Sequence, residues 1–131
     1  MEKLKSALIF EKYVVDKVEF TRNNEHNAEE KVNIQFSVSK DVHKFENKMD
    51  VTVVAKIFEN AKENNYPFEM YVQLTGFFVI ENEDKEINFE PNAIAILYPY
   101  IRAIVSTYTA SANVNPLILP PINVNNLFKE N

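Results

Sequence analysis

The 131-residue chain has no cysteine and no tryptophan, a single glycine, two histidines and no long apolar run. Without cysteine there is no disulfide, no thiolate nucleophile and no Cys-based zinc site. One glycine, Gly76, cannot build a phosphate-cradling loop, which needs several at fixed spacing. Most turns therefore fall to Asn, Asp and Pro. No stretch reaches the roughly 18–20 apolar residues that a bilayer span needs. The N-terminal apolar run Ala7-Leu8-Ile9-Phe10 stops before a signal-peptide core can form. These absences are compatible with an intracellular location, and a cytoplasmic protein without membrane insertion or cofactor is expected.

Basic clusters are missing too. Nineteen acidic against 14 basic residues give a net charge of -5, and no grouping of Lys and Arg is suited to a nucleic-acid backbone. His26 and His43 lie far apart in polar connections without metal-ligand spacing. Thr107, Thr109 and Ser111 lack a nucleophile-elbow setting. The acidic run Glu81-Asn82-Glu83-Asp84-Lys85-Glu86 reads as a solubilising turn. An enzyme is not expected. It stays the alternative of a different class, to be recognised by polar side chains converging in a closed pocket.

What is present is strand and helix periodicity across one domain, residues 1–131. Residues 8–20 read as a first strand with an irregularity at Val14-Val15-Asp16. Val32, Ile34, Phe36 and Val38 alternate with polar neighbours, the cleanest half-buried pattern in the chain. Residues 40–48 then form a polar connection, and strands follow over 49–57 and 67–80. Short links favour antiparallel pairing, because parallel strands need crossovers of about a dozen residues. Ile94, Leu97, Tyr98, Ile101, Ile104, Val105 and Tyr108 then repeat at three and four residues, predicting a helix from about Asn92 to Thr109. Pro99 starts or bends the regular part of that helix near Tyr98. Asn115-Pro116 and Pro120-Pro121 bound an extended apolar segment, and residues 124–128 offer a short terminal helix. The class is α+β.

Two stretches carry a likeness to a known family. Leu97-Tyr98-Pro99-Tyr100-Ile101-Arg102, followed after the helix by Pro116-Leu117-Ile118-Leu119-Pro120-Pro121-Ile122-Asn123-Val124, resembles the signature of the SecB protein-export chaperones. Tyr13-Val14-Val15-Asp16-Lys17-Val18-Glu19-Phe20 and Gly76-Phe77-Phe78-Val79-Ile80 are similar to the family more loosely, with Lys and Asp rearranged in the first. The resemblance implies a four-stranded antiparallel Greek-key sheet with C-terminal helices on one face, assembled as a homotetramer, a dimer of dimers. It also implies binding of non-native polypeptides without ATP, including export precursors held for the translocation ATPase. The zinc-binding tail through which many members contact that ATPase has no counterpart here. Client holding is therefore favoured over delivery, and contact with the ATPase stays open. Some similar chaperones serve the antitoxin of a toxin–antitoxin pair, and an oligomer without clients is the bland alternative.

Sixteen Phe and Tyr residues supply apolar surface beyond one core's needs. Candidate client contacts are Phe10, Tyr71, Phe77, Leu117 and Leu119, the last two because a proline-bounded extended segment can border a groove. Structural or interface roles are expected for Tyr98, Pro99, Tyr100, Arg102, Pro120, Pro121 and Asn123. Within these, Tyr98 should face the sheet, the Tyr100 hydroxyl should meet a backbone carbonyl near Pro120-Pro121, and Arg102 should anchor local carboxylates or carbonyls.

Overall fold

The computed structural model describes residues 5–29 and 31–128, the last two as backbone only. Strands Ala7–Arg22 (β1), Phe36–Phe45 (β2), Lys48–Ile57 (β3) and Phe68–Glu81 (β4) form one antiparallel sheet in the order β1-β4-β3-β2. Strands β2, β3 and β4 are successive neighbours, and β1 lies beside β4 after a long connection, which makes the sheet a Greek key. Between β3 and β4 sits a single helical turn, Ala61–Asn64 (α1). The long helix Glu90–Ser111 (α2) covers one face, and a 3-10 turn, Val124–Phe128, follows.

The strict period of two in β3 and β4 decides which face is covered. Met49, Val51, Val53, Ala55 and Ile57 from β3, with Met70, Val72, Leu74, Phe78 and Ile80 from β4, are buried under α2. Helix α2 answers with Ala93, Ile94, Leu97, Tyr98, Ile101, Val105 and Thr109. The opposite face of β4 carries the half-buried Tyr71, Gln73, Thr75, Phe77 and Val79.

Strand β1 departs from its register with β4 at Phe10/Lys12 and at Val15/Lys17. The second shift falls on the irregularity expected from the sequence. Strand β2 needs a correction. It runs over Phe36–Phe45, whereas residues 31–35 are not strand and residues 40–45, expected as a connection, are. The alternation continues past Val38 because Lys40 takes an inward position and extends to Glu90, 3.7 Å away, which hides the pattern from a reading by hydrophobicity alone. His43 therefore lies on this strand, 3.1 Å from Asp41, and not in a loop.

The helix α2 continues through Pro99 and does not begin there. Pro99 and Ala95 are both exposed, so the Ala95 carbonyl left without an amide partner can be hydrated. Pro91 occupies the first turn, where a missing N–H costs nothing. Asn113, at φ 61, follows the last helical residues in the left-handed conformation that ends many helices. Asn60, Asn65 and Asn82 also take positive φ. Asn thus does the work glycine usually does, as the composition implied.

The one glycine serves close packing. A Cβ on Gly76 would lie 2.5 and 2.8 Å from the Leu97 methyls and 2.9 Å from Phe78 Cε2. Both neighbours are fully buried, so neither can yield without disturbing the contact of α2 with the sheet. Gly76→Ala is expected to lower the unfolding free energy by about 1–3 kcal/mol, the usual cost of overpacking. A urea midpoint equal to that of the unmutated protein would show that the helix is not seated this closely.

Candidate functional site

After α2 the chain turns back and runs extended along the helix. Tyr98 donates its hydroxyl to the Pro120 carbonyl at 2.6 Å, Arg102 Nε–H to the Leu119 carbonyl at 2.8 Å, and Ser106 Oγ–H to the Leu117 carbonyl at 2.9 Å. Thr109 Oγ1 accepts the Leu117 amide at 2.9 Å and donates back to the Val105 carbonyl at 2.8 Å. These side chains stand three or four residues apart on one face of α2, so all four reach the same extended segment. The helix therefore holds the segment chiefly by its backbone.

Beside this segment lies an open groove of about 390 Å³. One wall is Val114, Asn115, Pro116 and Leu117, the other is His26, Ala28, Val32 and Ile34, and between them are Phe58, Pro67 and Phe68. Among the described residues no Lys, Arg, Asp or Glu lines it. The floor continues into a chain of rings: Tyr66 packs on Phe58 at 4.8 Å, Phe58 edge-on to Phe68 at 5.1 Å, Phe68 on Phe20 at 5.0 Å and Phe20 on Tyr108 at 5.5 Å. Phe58 adopts φ 54, unusual for an aromatic residue, with its amide bonded to the Gln35 carbonyl at 2.8 Å. A larger depression of about 820 Å³ is framed by Lys5, Asn82, Glu83, Asp84 and Glu86 and is a charged loop surface. Among the described residues no group of three or more His, Asp or Glu is arranged to hold a metal, and no helix is long and apolar enough to cross a membrane.

The five residues expected at a client surface are not brought together. Leu117 lines the groove. Leu119, expected beside it, is fully buried in the core, because the clamp on its carbonyl turns its side chain inward while Ile118 faces out at 69% exposure. Phe10 packs on Phe78 at 5.3 Å and near Tyr100. Tyr71 and Phe77 lie on the face away from α2, with the ammonium groups of Lys17 and Lys12 over their rings at 5.5 and 5.3 Å.

The tyrosine pair also needs correcting. Tyr98 faces the sheet as expected, but its hydroxyl, not that of Tyr100, reaches the segment at Pro120. Tyr100 instead packs on Tyr13 at 4.3 Å. Arg102 anchors a carbonyl, Pro99, Pro120 and Pro121 are exposed, and Asn123 Oδ1 accepts the Asn125 amide at 3.1 Å to start the 3-10 turn. The groove residues that sequence reasoning missed are chiefly Val32, Ile34, Phe58 and Phe68. Their pattern looked like strand, and only the exposure of Ile34, 40%, marks it as surface.

Burial pushes the Tyr98 hydroxyl above its ordinary pKa of 10.0, partly opposed by the Arg102 charge. The folded state therefore holds this proton more tightly than the unfolded chain, so the stabilisation is complete below about pH 10 and is lost as pH rises through the higher folded value. Tyr98→Phe is expected to cost on the order of 1 kcal/mol at neutral pH, since the freed Pro120 carbonyl is open to water. It should also flatten the loss of stability above pH 10, measured by denaturant titration across that range.

Comparison with known proteins agrees with this architecture. The family model described as preprotein translocase subunit SecB matches residues 6–131. An uncharacterized protein of Methanocaldococcus jannaschii is 38% identical over 127 residues, 92% of this chain and 81% of that protein. The protein-export protein SecB of Alcanivorax borkumensis is 30% identical over 110 residues, 76% of this chain and 66% of its own length. Among solved structures, the SecB-like chaperone Rv1957 of Mycobacterium tuberculosis, in complex with a ChAD peptide from the HigA1 antitoxin, superposes with a TM-score of 0.66 at 15% identity, covering 88% of this chain and 90% of that one. A Streptococcus agalactiae protein of unknown function gives a TM-score of 0.52 at 16% identity over 89% and 99% of the two chains. With a family model spanning all but the first five residues, the chain belongs to the SecB family.

Proposed function

We propose that this SecB-family chain is an ATP-independent chaperone that holds extended, non-native polypeptide in the groove between residues 26–34 and 114–117. The observation that carries the reading is the groove itself, open, lined mostly by apolar residues and, among the described residues, without a Lys, Arg, Asp or Glu along it. Such a surface gains affinity from any apolar side chain it takes out of water and makes no demand for one sequence. Export precursors are one client class, supported by the family to which the chain belongs. A second reading, a chaperone dedicated to an antitoxin, is favoured by one observation: the similarly folded Mycobacterium tuberculosis protein is bound to an antitoxin peptide.

Assembly as a dimer of dimers has support from two separate uncovered surfaces. Strand β1 is a sheet edge and leaves Ile9, Tyr13, Val14 and Val15 exposed at 37–47%. The other edge, β2, is guarded by Lys40 and Lys44, which are paired with Glu90 and Glu83. The exposed apolar residues of β1, set among Glu11, Lys12, Asp16 and Lys17, favour its pairing with a second copy. The outward side of α2 presents Ala95, Pro99, Ala103, Thr107 and Ala110, without a charge. Two distinct self-complementary patches are what a dimer of dimers requires.

Leu117→Ser and Ile34→Ser should each weaken binding of an unfolded client by about 1 kcal/mol, from the apolar area no longer removed from water. Circular dichroism and sedimentation should be unchanged. Leu119→Ser should instead unfold the protein, since it places a hydroxyl in the core. Titration against several unrelated unfolded proteins separates the two readings. General holding binds them all, and a dedicated chaperone binds none of them. Unaltered affinity in both groove variants would remove the groove as the site. In the same series, Val15→Lys should shift sedimentation toward smaller species by placing charge on the β1 edge.

A further inference from the structure

Both floor and wall of the groove hang on Asn23. It is the first residue after β1, 6% exposed, and all of its polar groups are engaged. Its side-chain N–H groups donate to the Ala61 carbonyl at 3.1 Å and the Tyr66 carbonyl at 2.9 Å, at the start of α1 and beyond its end. Its Oδ1 accepts the Glu25 amide at 3.1 Å, its carbonyl accepts the His26 amide at 3.2 Å, and its own amide donates to Pro67 at 3.0 Å. One amide side chain thus ties the turn 58–67, which carries Phe58 and precedes Phe68, to the connection that carries Val32 and Ile34.

The turn it holds is costly to form. Phe58, Asn60 and Asn65 all take φ between 54 and 57 within eight residues. Three left-handed residues so close together persist only where surrounding bonds over-determine them. A second tie lies nearer the surface: His26 Nδ1 is 2.8 Å from the Asn65 carbonyl, and the Asn27 amide donates to Asn65 Oδ1 at 2.8 Å.

We propose that Asn23 is a positioning residue that sets the width of the groove, and so its preference for bulky aromatic over small side chains in the bound polypeptide. This rests on the groove as the polypeptide site. A cleft whose walls are fixed rewards a side chain that fills it. One whose wall drifts takes a large and a small side chain nearly alike, because the contacts of the large one are no longer made on both sides.

The test compares two fluorescent extended peptides, identical except for a central pair of Phe or Ala residues, against the full chain and its Asn23→Ala variant. The expected result is a loss of about tenfold in affinity for the Phe peptide and at most about twofold for the Ala peptide, with faster amide exchange at residues 24–35 and 58–67 while β3 and β4 stay protected. Equal losses for both peptides would mean that Asn23 only maintains the folded fraction, and unchanged affinities despite faster exchange would mean that the wall need not be held. Either overturns the proposal. Should Asn23→Ala fail to fold, Asn23→Ser carries the same comparison. The shorter hydroxyl can keep the turn to the Glu25 amide but loses the two donors to Ala61 and Tyr66, so it loosens the wall with less disturbance of the connection. Failure of the groove reading is distinguishable: Leu117→Ser and Ile34→Ser would then leave binding of both peptides untouched in an otherwise unaltered protein.

Discussion

Everything beyond the sheet depends on a row of polar side chains, three or four residues apart on one face of α2, that hold the returning chain by its backbone. Because they share that face, Tyr98, Arg102, Ser106 and Thr109 all address the backbone from Pro120 back to Leu117, the last two at the same residue. Prolines at 116, 120 and 121 assist by keeping that segment extended and incapable of helix. Its alternation then has two consequences. Leu119 closes the core, and Leu117, two residues earlier on the same side, is left half-buried as a wall of the groove.

That alternation also explains what was legible in the chain and what was not. A proline-bounded apolar stretch announces extended backbone, and it is extended. It does not announce which parity faces inward, since Leu117, Ile118 and Leu119 are equally apolar. Only the clamp on the Leu119 carbonyl decides it, and Arg102 and Leu119 are 17 residues apart. Strands β3 and β4 were readable because burial on one face enforces a period of two. Strand β2 was misplaced because an edge strand uses lysines in its inward row, while the neat alternation of Val32 and Ile34 belongs to a groove wall. In both places the misleading residues serve surface demands, one against unwanted strand pairing and the other toward open apolar surface.

The scarcity of glycine has a structural counterpart. With one glycine, committed to the contact between Gly76 and Leu97, four of the six positive-φ positions among the described residues fall to Asn. Asn tolerates that backbone and offers an amide that can bond to neighbouring segments. Asn65 takes the left-handed turn and also receives the Asn27 amide, which glycine cannot do. The composition that excludes a phosphate loop thus favours turns tied to one another through side chains.

An apolar groove in water is under constant pressure to close, since its walls lower their free energy by meeting each other just as they do by meeting a client. Holding it open requires that each wall be fastened to something else more firmly than to the opposite wall. Here one wall is fastened to α2 through Ser106 and Thr109, and the other to the α1 turn through Asn23 and to Asn65 through His26 and Asn27. Apart from His26, the side chains that make these bonds stand outside the lining, which is mostly apolar. Polar residues therefore set the geometry while apolar residues supply the affinity, and a site built this way can be wide in its choice of polypeptide without being soft.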